Sequence, residues 1–153
     1  MTKKKPNVLI TGASSGIGEA LARHYAITGA GTLFISGRNR ERLETVKTAC
    51  ERYNVKVYAE VMDVTDRQNT AAWIKKCEEI APLNIVYANA GVATLEETPE
   101  NIYNTFNTNV IGVLNTLIPA VEIFKNRRDK HKTLVITSSI AGYHGLPSCP
   151  SYS

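Results

Sequence analysis

The sequence predicts an α/β protein, a doubly wound parallel sheet of Rossmann-like type, and three observations lead there. Short apolar runs of strand length alternate with stretches of helical periodicity from Asn7 to Ser138. A glycine-rich turn, Thr11-Gly12-Ala13-Ser14-Ser15-Gly16-Ile17-Gly18, falls where the first apolar run ends and the first helical stretch begins. No linker, repeat or low-complexity tract interrupts this order, so the 153 residues read as a single dinucleotide-binding domain, 1–153, with a core of its own.

The elements follow in chain order. Residues 7–11 (NVLIT) form a strand, and a helix runs from Gly16 to about Thr28. Residues 32–36 (TLFIS) form a second strand. From Glu41, Leu43, Val46, Cys50 and Tyr53 recur at spacings of one helical face. Residues 55–61 are a third strand. Thr65-Asp66-Arg67-Gln68 has the form of a capping box opening a helix with Trp73, Cys77 and Ile80 on one face. Residues 83–87 are a fourth strand. Thr98-Pro99 sets a cap residue before proline at the first helical position, and a long helix follows to about Lys125. Ile102, Phe106, Val110, Val113, Leu114, Leu117, Val121 and Phe124 recur along it, and Pro119 is expected to kink it. Residues 133–138 close the series as a fifth strand. Strands separated by helices imply parallel pairing with right-handed crossovers.

Composition narrows the function. Apolar residues make up 43% and charged residues 21%, as in an ordinary globular protein. A net charge of +4 favours anionic ligands without pointing to nucleic acid. Three widely spaced cysteines, Cys50, Cys77 and Cys149, form no CxxC pair, so neither a metal site nor a redox motif is expected, and a reducing, cytoplasmic setting fits best. The lysines at positions 3–5 read as a solvated tail without a secretory signal, and no stretch is apolar enough to span a bilayer. Residues 125–132, rich in Lys and Arg, read as a solvated connector, and His144 as a surface loop residue.

The glycine turn carries the strongest functional signal. Gly12 permits the tight turn off the strand, Gly16 lets the backbone approach a pyrophosphate, and Gly18 lets the helix pack closely. The helix N-terminus presents free N–H groups and partial positive charge to phosphates, and Ser14 and Ser15 add hydroxyls. A P-loop is excluded, because Glu19-Ala20 follow Gly18. At the end of the second strand stands Ser36-Gly37-Arg38-Asn39-Arg40, with no carboxylate to hold a ribose 2′-hydroxyl; Arg38 has the planar fork that suits a 2′-phosphate instead. The expected cofactor is therefore NADP, with NAD still open.

The spacing Gly-x-x-x-Gly-x-Gly resembles that of the short-chain dehydrogenase/reductase superfamily, and further motifs match in order along the whole chain. Asp63-Val64 closes the third strand, where the family contacts adenine, and Asn89-Ala90-Gly91 closes the fourth, with Ala88 in place of a first family Asn. Asn109 lies in an Asn-Val-x-Gly context, Ser139 ends the fifth strand, and Tyr152 follows it by the family's Ser-to-Tyr interval. The resemblance implies an oxidoreductase that moves a hydride between a nicotinamide cofactor and a carbonyl or alcohol. In it Tyr152 is general acid or base, Ser139 holds the substrate oxygen, and Asn109 supports a water relay. Ile17, like its neighbours in the turn, would contact the cofactor. The family's other basic NADP marker is replaced by Ser15. The family's Lys, four positions after the Tyr, would lie past Ser153. The expectation is a chain truncated after the fifth strand, inert by itself, and homo-oligomeric in its full-length form; the alternative is a non-catalytic NADP-binding module or inactive fragment.

Overall fold

In the computed structural model, residues 5–129 and 131–153 are described; Lys3 and Lys4 of the expected tail and Lys130 of the basic run lie outside them. The strands are β1 (Asn7–Ile10), β2 (Thr32–Gly37), β3 (Lys56–Val61), β4 (Ile85–Ala88) and β5 (Thr133–Ile136). The helices are α1 (Gly16–Thr28), α2 (Arg40–Glu51), α3 (Arg67–Ile80), α4 (Pro99–Phe106) and α5 (Gly112–Lys125), with a π-helical turn over Asn107–Ile111 joining the last two. All four ladders are parallel, in the order β3-β2-β1-β4-β5. The chain winds outward from β1 in one direction and then, after β3, in the other. The break between β1 and β4 is the switch point outside whose C-terminal strand ends a ligand crevice forms.

The strands' two-residue period sorts the core onto both faces. Val8, Ile10, Leu33 and Ile35 pack with Ala22, Ala26, Leu43, Val46 and Cys50, under α1 and α2. Leu9, Phe34 and Val86 pack on the other face with Trp73, Ile74, Cys77, Ala120 and Phe124, under α3 and α5. A sheet covered on both sides needs apolar residues at every position of its central strands, and β2 is buried along its whole length. Burial pushes the Cys50 and Cys77 thiols up, so both serve as small apolar residues. The Tyr25 and Tyr87 hydroxyls, 2.8 Å apart, tie α1 to β4; burial and this bond push Tyr25 up to about 12.

Several sequence expectations are revised. The cap of α3 is Asp66, one residue beyond the expected Thr65: its carboxylate accepts from the Asn69 backbone N–H at 3.0 Å and from the Asn69 side chain at 2.7 Å. Tyr53 lies past the end of α2 and is exposed, because the chain turns through Asn54 at φ 57°. Ile80, at the last turn of α3, is partly exposed. The helix continues through Pro119, and the irregularity falls upstream, in the π turn.

The apolar recurrence along α4 and α5 does not mark the inward face: Phe106 is 53% and Leu114 45% exposed, Val113, Leu117 and Val121 are half-buried, and of the recurring residues Phe124 alone is buried. The inward positions are Thr105, Thr108, Gly112, Asn115, Thr116, Ala120 and Phe124. Small residues are required there because the helix approaches closely; a Cβ on Gly112 would stand 2.5 Å from the Val64 side chain. The basic connector is more than solvated charge. Arg127 holds the Glu78 carboxylate at 3.1 Å and the Leu83 carbonyl at 2.6 Å, and Lys132 donates to the carbonyls of Phe124 and, at 2.7 Å, Arg127 at the end of α5.

Phe34, fully buried on β2, stacks on Tyr58 and meets Trp73 edge-on. Phe34→Ala is therefore expected to lower the unfolding free energy by about 3–5 kcal/mol. Urea denaturation monitored by Trp73 fluorescence measures it; an unchanged midpoint would contradict this account of the core.

Candidate functional site

The glycine turn is built by close approach. Gly12 stands at φ 69°, and a Cβ there would meet the Ala90 Cα at 2.6 Å. A Cβ on Gly18 would collide with the Gly12 carbonyl oxygen and lie 2.6 Å from the Asn89 side-chain nitrogen. The turn thus passes directly over the end of β4. Gly16, at φ 57°, faces the opposite situation: nothing lies within 4 Å of its Cβ position.

A polar network fixes the strand ends under the turn. The buried Thr11 hydroxyl accepts from the backbone N–H groups of Asn89, at 3.1 Å, and Ala90, at 3.2 Å, and donates to the Tyr87 carbonyl at 3.2 Å. The Asn89 side chain donates to the Thr11 carbonyl at 3.0 Å and accepts from the Thr137 hydroxyl at 2.9 Å. One asparagine therefore joins β1, β4 and the end of β5. Asn109, in the π turn, is spent in the same way: its amide donates to the Val92 carbonyl and accepts from the Val92 N–H, both at 2.8 Å. It fastens the loop that follows β4. Asn115 holds the loop after β3, donating to the Val64 carbonyl at 2.9 Å.

The N-terminus of α1 differs from those of α2, α3 and α4. Asn39, Asp66 and Thr98 each cap their own helix by accepting a backbone N–H. Ser15, in the same position on α1, makes no such bond, so the first-turn N–H groups of α1 remain available for an anion. Glu19, the one acid in that turn, is paired with Arg23 at 2.8 Å.

These groups border a cavity of about 850 Å³ along the C-terminal ends of the strands. Gly12, Ser14, Ser15, Gly16 and Ile17 line it at one end, with Arg38, Asp63 and Val64 beside them. Asn89, Ala90, Gly91 and Asn109 line its floor, and Ser139 and Tyr152 stand at the far side. Gly18 alone among the sequence-derived residues does not line it; it lies behind the turn, where it permits the contact just described. The Ser139 hydroxyl accepts from the Ala141 N–H at 3.2 Å and keeps its own proton free to donate. Arg38 lies 3.8 Å from the Asp63 carboxylate, a long, half-exposed pair of small energy that leaves its guanidinium N–H groups open.

The structure adds residues with no sequence-derived role. Arg42, four positions after Arg38, brings a second guanidinium to the same mouth, and Asn39 lines it too. Ser36 is 1% exposed and borders the cavity, and its hydroxyl finds no partner among the described residues. An orphaned buried hydroxyl is costly unless a ligand satisfies it. The basic pair Arg38 and Arg42 had a signal in its spacing; the network of Thr11 and Thr137 had only a polar residue at the end of an apolar run. Among the described residues no group of His, Cys, Asp and Glu could hold a metal ion, and no helix is long and apolar enough to cross a membrane.

Residues 6–153 match the family model described as short chain dehydrogenase. An uncharacterized oxidoreductase of Myxococcus xanthus (strain DK1622) is 34% identical over 150 residues, which are 95% of this chain and 58% of that protein. An alcohol dehydrogenase from the archaeon Thermococcus sibiricus, complexed with 5-hydroxy-NADP, superposes with a TM-score of 0.86 at 28% identity, over 97% of this chain and 64% of that one. A short chain dehydrogenase from Mycobacterium smegmatis superposes with a TM-score of 0.89 at 26% identity, over 97% and 64% of the two chains. This chain therefore spans less than two thirds of the length of each.

Replacing Thr11 by the isosteric valine would orphan two backbone N–H groups beneath the turn. Thr11→Val is expected to lower stability by about 1–3 kcal/mol. Thermal or urea unfolding checks this, and a variant as stable as the parent would show that the network is dispensable.

Proposed function

The chain belongs to the short-chain dehydrogenase family, and on that premise we propose that it is the dinucleotide-binding domain of an NAD(P)-dependent oxidoreductase acting on a small carbonyl or alcohol substrate. The observation that carries this reading is the uncapped N-terminus of α1 opening on the cavity between β1 and β4. Its free N–H groups, with Ser14 and Ser15 beside them, suit a pyrophosphate. The unpartnered Ser36 hydroxyl and the open space at Gly16 are what a bound dinucleotide would fill.

NADP is the proposed cofactor, NAD the alternative. Arg38 and Arg42 border the mouth where the adenosine ribose would lie, and β2 itself ends without a carboxylate, the Asp63 carboxylate nearby coming from the end of β3. The alcohol dehydrogenase of Thermococcus sibiricus holds an NADP derivative, which supports the same reading. Asp63 and Val64 would flank the adenine. Asn89, Ala90 and Gly91 would lie under the nicotinamide half.

When bound, the nicotinamide would supply or accept the hydride. The residues of this chain have complementary parts. Ser139 donates a hydrogen bond to the substrate oxygen, and Tyr152 passes a proton to or from it. Asn109 keeps the loop after β4 in place beside them. A tyrosine has an ordinary pKa of about 10, so efficient base catalysis near neutrality requires a cationic neighbour to stabilise the phenolate.

An outward apolar stripe along α4, the π turn and α5, with Tyr103, Phe106, Val110, Leu114 and Ile118 exposed, supports a homo-oligomer as the working form. Three free, buried cysteines support a reducing compartment such as the cytoplasm.

Two variants test the cofactor site. Gly16→Val would put a branched side chain where the phosphates pass and is expected to abolish NADPH binding in fluorescence titration; undiminished affinity would remove the turn from the site. Arg38→Asp takes away a charge-assisted phosphate contact and restores a ribose acceptor. The ratio of NADP to NAD dissociation constants should rise by about tenfold to hundredfold. A ratio that does not move would make Arg38 a surface residue.

A further inference from the structure

The segment from Ile140 to Ser153 carries Tyr152, and most of what holds it is local. Its backbone bonds run from Gly142, Tyr143, His144, Cys149, Tyr152 and Ser153 to carbonyls three or four residues back. The Ser153 hydroxyl accepts from the Leu146 N–H at 2.8 Å, and Cys149 is buried. Apart from the Ala141 and Gly142 N–H groups, which bond the adjoining Ser139, hydrogen bonds from this segment to the rest of the chain go, among the described residues, to one carboxylate. Glu97 Oε1 accepts from the Ser151 backbone N–H at 3.1 Å and from the Ser151 hydroxyl at 3.0 Å.

Glu97 is itself well founded. It directly precedes Thr98, the cap of α4, where the helix N-terminus favours a negative charge. The loop leading to it is braced by Asn101, which donates to the Glu96 carbonyl at 2.9 Å, and by the paired bonds of Asn109 to Val92. The loop after β4 is thus braced near both ends, at Val92 from the π turn and at Glu96 from α4, and Glu97 follows the second of these points. Charge-assisted bonds to an ionised acceptor are about twice as strong as neutral ones, which suits a short turn with little packing of its own.

We propose that Glu97 is a positioning residue that holds the Tyr152 turn against the start of α4 through Ser151, so that the tyrosine faces the cavity. This deepens the reading of Tyr152 as the proton-transferring group and rests on it. Glu97 does not line the cavity, so its effect on cofactor affinity should be small.

The test uses the chain as it stands, with amide hydrogen exchange and the ring signals of 13C-labelled tyrosine, Tyr152 being assigned through Tyr152→Phe. Glu97→Ala should speed exchange at the Ser151 amide by about tenfold or more, with Val92 unchanged as the internal control of folding. Glu97→Gln keeps a neutral oxygen acceptor and should restore part of the protection. NADPH should shift the Tyr152 ring signal in the parent chain. In Glu97→Ala it should bind with similar affinity but leave that signal displaced from its parent position. Unchanged Ser151 exchange in Glu97→Ala overturns the tether. A parent Tyr152 signal indifferent to bound NADPH overturns the site reading beneath it, whatever Ser151 does.

Discussion

The approach of the Gly12 backbone to Ala90 is the constraint on which the rest of the site depends. Three parallel strand ends must be held in one plane for the turn to pass over them at contact distance. Thr11, Asn89 and Thr137 do this with hydroxyl and amide groups in place of more strand. Once Gly12 is seated and Gly18 rests against its carbonyl, the direction of α1 is determined, and its first turn points at the cavity. The sheet order places the switch point under that turn, so fold and site share one origin.

Local stability is given up there. A side-chain cap contributes about 1 kcal/mol to a helix, and α1 forgoes one where α2, α3 and α4 each have theirs. Among the described residues the buried Ser36 hydroxyl has no partner, and Gly16 adopts a left-handed conformation with nothing within 4 Å of its Cβ position. Local departures of this kind, gathered round one cavity, characterise a site shaped for a ligand and not for the free chain. Across the cavity the turn carrying Tyr152 is bonded through Ser151 to Glu97, at the end of the loop after β4 that Asn109 fastens.

The sequence made the element order and the glycine turn legible because short β-rich runs and helical spacings are local signals. The cap at Thr98 was readable for the same reason, whereas the Asn39 cap of α2 was not read. At α3, two adjacent cap residues competed, and Asp66 prevailed by bonding both the backbone and side chain of Asn69. The orientation of the long helix was hidden by two effects. Close approach to Val64 reversed the usual equation of apolar with inward, and the π turn broke the helical phase between Phe106 and Gly112. The parts played by Asn89, Thr137 and Arg127 depend on groups more than 40 residues away, which no periodicity reveals. Fourteen of the fifteen residues singled out from the sequence border one cavity, but the spatial bonds that hold them there emerged only from the fold.

The central claim is that the uncapped first turn of α1 seats the phosphates of a nicotinamide dinucleotide. The most direct measurement is an NMR titration of the 15N-labelled chain with NADP. The account predicts large, saturable shifts at the Gly16, Ile17 and Gly18 amides, with inorganic pyrophosphate competing, and smaller ones at the capped starts of α2 and α3. Binding that leaves those three amides unmoved would contradict it.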